Sequence, residues 1–243
     1  MSDSTVENGK SFKQGDVEFN LVDDEYITKM TGFEVDCASG GGEPMACHNT
    51  GEFFSVVLND RPRAKKVFEK NCNERDFGPS CFNLAKLYFA GKGVELNDDE
   101  AEKYFDKACK WGHHAACYHK GVMNYSQVMK KIKNDNNSQI NNQNKKDLNK
   151  TLDLFKSTCK DGFADSCEKL ASHYLSKGPD FDPIKAKPFL TTGCDKSNNL
   201  KACHNLAVLY KNSGDMDNFE LYKQRYEEIK EIGGGFNSFT KKA

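Results

Sequence analysis

The sequence predicts an all-α fold, an α/α superhelical solenoid of five helix–turn–helix repeats. Three observations predict it. Ten cysteines fall into five consecutive short-range pairs, Cys37/Cys47, Cys72/Cys81, Cys109/Cys117, Cys159/Cys167 and Cys194/Cys203. Their second members step by 34, 36, 50 and 36 residues, which is a repeat with one interruption. Between the pairs, apolar residues recur at helical spacing on either side of glycine-containing turns.

The second full unit shows the pattern most clearly. Leu84, Leu87 and Tyr88 follow Cys81 on one helical stripe, and Gly91 and Gly93 end that helix. Ala101, Tyr104, Phe105 and Ala108 then form a second stripe. Asp98, Asp99 and Glu100 stand at its start and Lys107 and Lys110 at its end, a polarity that suits the helix dipole. Unit one repeats this with Cys47, Gly51, Phe54, Ala64, Val67 and Phe68, and unit three with Cys117, Gly121, Tyr125, Leu154 and Phe155. Unit four carries Leu170, Ala171 and Tyr174 before a Gly178-Pro179 turn, and unit five Leu206, Ala207 and Tyr210 before Gly214. A small residue precedes each second cysteine (Ala46, Ser80, Ala116, Ser166, Ala202), as close helix approach requires. Pro188 falls inside the expected second helix of unit four, so that helix starts late, with proline in its first turn, or kinks. Phe219, Tyr222, Tyr226 and Ile229 form a terminal capping helix.

Three segments lie outside the regular pattern. Residues 1–22 are polar and mixed and are expected to be a disordered arm ahead of the array at 23–232. The Asn/Lys-rich tract 130–150 reads as a flexible surface insertion in the turn of unit three, and it accounts for the 50-residue step. Residues 233–243 are expected to be a flexible tail.

Composition narrows the function classes. The net charge is −1 over 243 residues, which excludes the basic footprint of a nucleic-acid binder. The richest apolar run, Phe53–Leu58, is far too short to span a membrane. The N-terminal residues have neither the apolar core of a secretory signal nor the Arg-rich character of a presequence, whereas ten paired cysteines point to an oxidising compartment. The mitochondrial intermembrane space reconciles the two; a cytosolic protein with ten reduced thiols is the alternative.

The first cysteine of each pair closes one unit and the second opens the next, so a bridge would staple successive units. The stretches between them (NERDFGPS, KWGHHAA, KDGFADS, DKSNNLKA) read as turns rather than helix. Loops of this length should contribute about 2–3 kcal/mol per bridge. Adjacent pairing is the simplest of many connectivities. Structural zinc prefers Cys-x2–4-Cys, and no pair is that close; a Cys-x-x-Cys redox motif is also absent. Cys37-x9-Cys47 matches the spacing of Cx9C hairpins, but its interior, ASGGGEPMA, cannot be their helix.

CFNLAKLYFAGKGVELNDDEAEKYFDKAC (81–109) resembles the Sel1-like repeat, and the cysteine-stapled layout over about 23–232 is similar to the Helicobacter cysteine-rich proteins and to the cytochrome c oxidase assembly-factor branch of that family. The resemblance implies oxidative import into the intermembrane space and a role in complex IV biogenesis. It implies as partners complex IV subunits, copper-delivery factors and the oxidative import machinery. It also implies, for some members, haem binding or thiol–disulfide reduction of copper chaperones. The insertion and Pro188 depart from the pattern, and the absence of unpaired cysteines argues against a role that needs a free thiol.

Of the six histidines, His48, His119 and His204 occupy repeat-phase positions just after a cysteine and read as packing or surface residues. His119 and Met123, four apart, are the one candidate half-site for haem, though one helix face cannot ligate both sides of the iron. Trp111, Tyr88, Tyr104 and Phe105 read as core. No catalytic residue and no metal site are expected, and no nucleophile elbow, P-loop or paired-carboxylate motif is present. The leading expectation is a protein-interaction scaffold. A thiol–disulfide oxidoreductase acting through an exposed, labile Cys37/Cys47 pair and a cytosolic or endoplasmic-reticulum adaptor are the alternatives.

Overall fold

The computed structural model describes residues 12–14, 17–19, 24–134 and 142–240. Among the described residues eleven α-helices follow one another. They are α1 (Asp24–Ser39), α2 (Pro44–Glu52, continued by a π-helical turn Phe53–Val57), α3 (Arg61–Arg75), α4 (Gly78–Ala90), α5 (Asp98–Lys110), α6 (His114–Asn134), α7 (Asn142–Lys160), α8 (Ala164–Leu175), α9 (Pro183–Ser197), α10 (Leu200–Ser213) and α11 (Met216–Thr240). They fall into two units, residues 1–113 and 114–243. Within each unit, successive helices pack against each other. The first unit holds α1 and the repeats α2–α3 and α4–α5. The second holds α6–α7, α8–α9 and α10–α11. Helix α1 ends near Cys37, so it takes the place of the second helix of an upstream repeat.

Helix starts inside the repeats follow a rule. Four of the second helices open on Asp or Asn, whose side chain accepts a hydrogen bond from an N–H three residues on. These are Asp60 to Arg63 N, Asn97 to Glu100 N, Asp182 to Lys185 N and Asp215 to Asn218 N. This satisfies one of the free N–H groups of the first turn.

The links between repeats are shorter than the sequence suggests. The seven- and eight-residue stretches read as turns are mostly helix, and only two or three residues break it. One residue in each link adopts the left-handed region: Gly40, Asp76, Gly112, Gly162 and Asn198. Glycine bears this at no steric penalty, and Asp and Asn tolerate it better than other residues. Two forms occur. Where the cysteines are eight apart, a Gly N–H bonds the cysteine carbonyl (Gly112 to Cys109 O, 3.0 Å; Gly162 to Cys159 O, 2.9 Å). Where they are nine apart, Asp or Asn turns one residue later, and the next N–H reaches a carbonyl six residues back (Phe77 to Asn71 O, 3.4 Å; Asn199 to Gly193 O, 3.0 Å). Such C-terminal turns reverse a helix tightly enough that no separate loop is needed.

The core runs along the interior stripe of each repeat. Ala64, Phe68, Leu84, Ala85, Ala101 and Phe105 are fully buried in the first unit. In the second, Phe155, Cys159, Cys167 and Leu170 belong to one cluster and Leu190, Cys194, Cys203 and Leu206 to the next, with Tyr174 and Phe189 touching both. A near-parallel ring pair recurs at one register: Tyr88–Tyr104, Tyr174–Phe189 and Tyr210–Tyr222, with centroids 5.5–6.0 Å apart. Tyr222 seats the capping helix, with Phe219, Tyr226 and Ile229 packed around the same cluster.

Several expectations are corrected. Tyr104 and Phe105 are core and Tyr88 is half-buried, but Trp111 is 54% exposed. It caps the C-terminal end of α5, where the chain turns away from the interior stripe. The tract 130–150 is helical at 130–134 and 142–150. It lengthens α6 and α7, because Val128, Asn144 and Leu148 bury on the same inner stripe. Helix α9 begins at Pro183, so Pro188 lies inside it and not in its first turn. Pro188 is exposed, which leaves water able to satisfy the Ile184 carbonyl that it deprives of a donor. Most of 1–22 lies outside the described residues; within it, Phe12–Gln14 and Val17–Phe19 pair as short antiparallel strands. Helix α11 runs on to Thr240, into the segment expected as a flexible tail.

Gly51 and Gly121 occupy the same repeat position, each against a phenylalanine of the facing helix. A Cβ would lie 2.4 Å from the Phe68 ring at Gly51 and 2.6 Å from the Phe155 ring at Gly121. Gly51→Ala and Gly121→Ala are each expected to destabilise the protein by about 1–3 kcal/mol through overpacking. Ala at the open position Gly41 should be near neutral. Chemical denaturation of the three variants checks the ranking.

Candidate functional site

Two features carry chemistry or recognition: the cysteine staples and the grooves beside them. Cys37–Cys47, Cys72–Cys81, Cys159–Cys167 and Cys194–Cys203 are disulfides, with Cα atoms 5.5, 4.8, 4.7 and 4.8 Å apart. Cys109 and Cys117 are also disulfide-bonded, and no cysteine is free. Adjacent pairing is thus the observed connectivity for these four bridges.

The Cys37–Cys47 bridge corrects the redox expectation. Both residues are buried. Gly42 lies over the sulfurs so closely that a Cβ there would stand 2.8 Å from Cys47 Sγ and 2.9 Å from Cys37 Sγ. Arg75 covers the bridge from the other helix and donates to Cys47 Sγ (3.3 Å) and Cys37 O (3.5 Å). Its glycine-rich link therefore folds against the sulfurs and does not leave them open. An incoming thiolate has no clear line to either sulfur. Among the ten, Cys109 alone is half-buried.

Small polar groups fill the space next to two bridges. The residue before each cysteine of a pair faces its counterpart. Asn71 Nδ2 donates to Ser80 Oγ (2.7 Å) and to Pro44 O (2.9 Å), and Ser80 Oγ also meets His48 Nδ1 (3.2 Å). In the second unit, Thr158 Oγ1 donates to Ser166 Oγ (2.6 Å). At the Cys194–Cys203 bridge the pair is Gly193 and Ala202, so close that a Cβ on Gly193 would lie 3.0 Å from Ala202 Cβ. Ser80, Ala116, Ser166 and Ala202, small residues marked by sequence, are all buried.

His48 and His173 are buried titratable groups. Burial lowers both from the ordinary histidine range, against the opposing pull of Glu52 on His48 and of Asp180 on His173. His173 is 7% exposed; its Nδ1 meets Tyr125 Oη at 3.0 Å, and its Nε2 has Asp180 Oδ2 at 3.7 Å. A neutral ring that accepts from Tyr125 carries its proton on Nε2, pointed toward that carboxylate. The sequence marked His48 only by its place after a cysteine, which the exposed His204 shares, and it did not single out His173.

His119 and Met123 lie one turn apart on α6, both half-buried, and the His119 ring sits edge-on to Tyr118 with centroids 5.5 Å apart. Counting from the second cysteine of the pair, they occupy positions +2 and +6. Among the described residues, no three His, Cys, Asp or Glu side chains converge to hold a metal. No helix there is long and apolar enough to cross a membrane.

Positions +2, +5, +6 and +9 of the first helix line a groove in each unit. In the first unit, Asn83, Lys86, Leu87 and Ala90 of α4 face Glu52, Ser55 and Val56 across a groove of about 410 Å³. In the second, Asn205, Val208, Leu209 and Asn212 of α10 face Leu175, Phe181 and Pro183 across one of about 420 Å³. The register is the same and the chemistry differs. The first groove is charged; the second carries no charge on its lining.

The repeat architecture recurs in solved structures. A Sel1 repeat protein of Oxalobacter formigenes superposes with a TM-score of 0.63 at 20% identity, over 85% of this chain and 79% of that one. A protective antigen of uropathogenic Escherichia coli with an SLR fold gives 0.63 at 15% identity, over 84% and 41%. No protein-family model matches the chain. Among curated proteins, cytochrome c oxidase assembly factor 7 of Homo sapiens is 28% identical over 143 residues, 57% of each chain. The Xenopus tropicalis protein is 24% identical over 175 residues, 70% of each. A homolog from Drosophila melanogaster is 29% identical over 109 residues, 43% of this chain and 41% of its own. The chain thus spans about half the length of the fly and human relatives it matches. Its fold is that of the Sel1-like repeat, in a form whose cysteines are all bonded. Its distant relatives are the cytochrome c oxidase assembly factor 7 proteins.

Two measurements follow from this geometry. Alkylation of the denatured, unreduced protein is expected to add no label, and ten labels after reduction; mass spectrometry reads the difference. Because His48 and His173 resist protonation when folded, the unfolded chain binds more protons below about pH 6.5. Their contribution to stability is therefore present above that pH and is lost as pH falls toward their depressed folded values. Urea midpoints are expected to drop between about pH 7.5 and 5.5, and less steeply in His173→Gln.

Proposed function

We propose that the protein is an interaction scaffold in the assembly of cytochrome c oxidase, complex IV, in the mitochondrial intermembrane space. The observation that carries this reading is the similarity to proteins named cytochrome c oxidase assembly factor 7 in animals as distant as Xenopus and Drosophila. Two physical features support it. All ten cysteines are bonded, which suits an oxidising compartment and entry by oxidative trapping. The grooves keep one backbone frame while their linings change, an arrangement suited to holding protein segments of different chemistry. Its clients are then complex IV subunits or copper-delivery factors. The buried sulfurs favour holding over thiol exchange.

Deletion of the gene is expected to lower assembled complex IV, read by native gel electrophoresis and oxidase activity, while tagged protein co-purifies with complex IV subunits. Protease protection of opened mitochondria should place it between the two membranes. Unchanged complex IV after deletion would overturn the role.

A further inference from the structure

We propose that the groove of the first unit docks an acidic segment of a partner protein, its carboxylates set against Arg61, Lys86 and Lys92 and an apolar side chain against Val56. This rests on the scaffold reading above and names the chemistry of the client. In the first unit five of the eight helical lysines, Lys65, Lys70, Lys103, Lys107 and Lys110, lie within ion-pair distance of a carboxylate. The three cations of this groove do not. Among the described residues none of them has a carboxylate within ion-pair distance, and Lys86 instead lies 5.3 Å from the Phe82 ring centroid. The one acidic residue of the lining, Glu52, is already engaged: it accepts from Asn83 Nδ2 at 3.1 Å and lies 3.6 Å from His48 Nε2. The groove is left with excess positive charge on a chain whose net charge is −1.

The fold does not require that charge. Val208 holds the position of Lys86 in the groove of the second unit, on the same helix face and at the same distance from its cysteine. The charge therefore belongs to recognition and not to the repeat. The π-helical turn supplies the apolar element: the Leu58 N–H reaches back five residues to Phe53 O, and Val56 is left 78% exposed on the wall. Single π turns of this kind concentrate at functional sites. The volume, about 410 Å³, lies in the range of about 300–1,000 Å³ that ligand sites occupy. Cationic walls around an apolar floor complement a segment in which Asp or Glu flanks a Leu, Ile or Phe.

The test is fluorescence anisotropy on the full oxidised chain. The probe is a labelled ten-residue peptide of Asp, Glu and Leu; a Lys/Leu peptide of reversed charge and a single-stranded oligonucleotide serve as comparators. The expected result is saturable binding of the acidic peptide that weakens as salt is raised. A Lys86→Val/Lys92→Ser variant should bind about five- to tenfold more weakly with an unchanged circular dichroism spectrum. The valine reproduces what the second groove already carries, so the variant should fold. Equal binding of the basic peptide, tighter binding of the oligonucleotide, or unaltered affinity in the variant would each overturn the proposal. Co-purification separates this from the scaffold role. If the variant retains complex IV subunits as well as wild type does, the docking site lies elsewhere and the scaffold reading stands.

Discussion

The structure depends on reversing the chain within two to four residues while two sulfurs stay bonded. Each link combines a left-handed residue, a helix end whose carbonyls are taken up by the turn, a cysteine three or four residues before it and a cysteine five or, at Gly40, seven residues after it. The geometry permits few substitutes. A β-branched residue at Gly112 or Gly162 would resist the positive φ. With the links fixed, the helix axes are set, and the aromatic and aliphatic side chains pack as consequences of that frame.

Inside the frame, volume is shared between facing helices and is not assigned to fixed positions. Glycine at 51 and 121 makes room for the rings of Phe68 and Phe155, whereas alanine at 171 faces the smaller Leu190. The pair beside each bridge varies in the same manner, as Asn71 with Ser80, Thr158 with Ser166, and Gly193 with Ala202. The polar pairs remain compatible with burial because each is hydrogen-bonded within the pair. His48 extends one such network toward Glu52, so a surface charge and a buried amide are joined through one imidazole.

The outward register positions are under no such constraint. Positions +2, +5 and +9 bear on the grooves, whereas +6 is shared with the core through Leu87, so the lining can change from Lys86 to Val208 at +5 without altering the fold. Gly42 and Arg75 close over the Cys37–Cys47 bridge, and its sulfurs serve as structure.

The cysteine spacing and the helical stripes were enough to predict the class of fold and the number of repeats, and they made adjacent pairing the simplest connectivity, because each rests on residues close in sequence whose periodicity is visible in one dimension. The same reasoning placed Phe68, Leu84, Phe105 and Leu206 in the core. It missed wherever the deciding neighbour came from another helix. The tract 130–150 looks unstructured because its polar residues outnumber Leu148, yet that leucine has a partner stripe across the turn to hold it. Trp111 looks like core until the turn directs it outward. The link over Cys37 and Cys47 looks open until Arg75, 38 residues away, covers it. The grooves were equally hidden, since a surface made by side chains from two repeats exists only once the turns have brought their helices together.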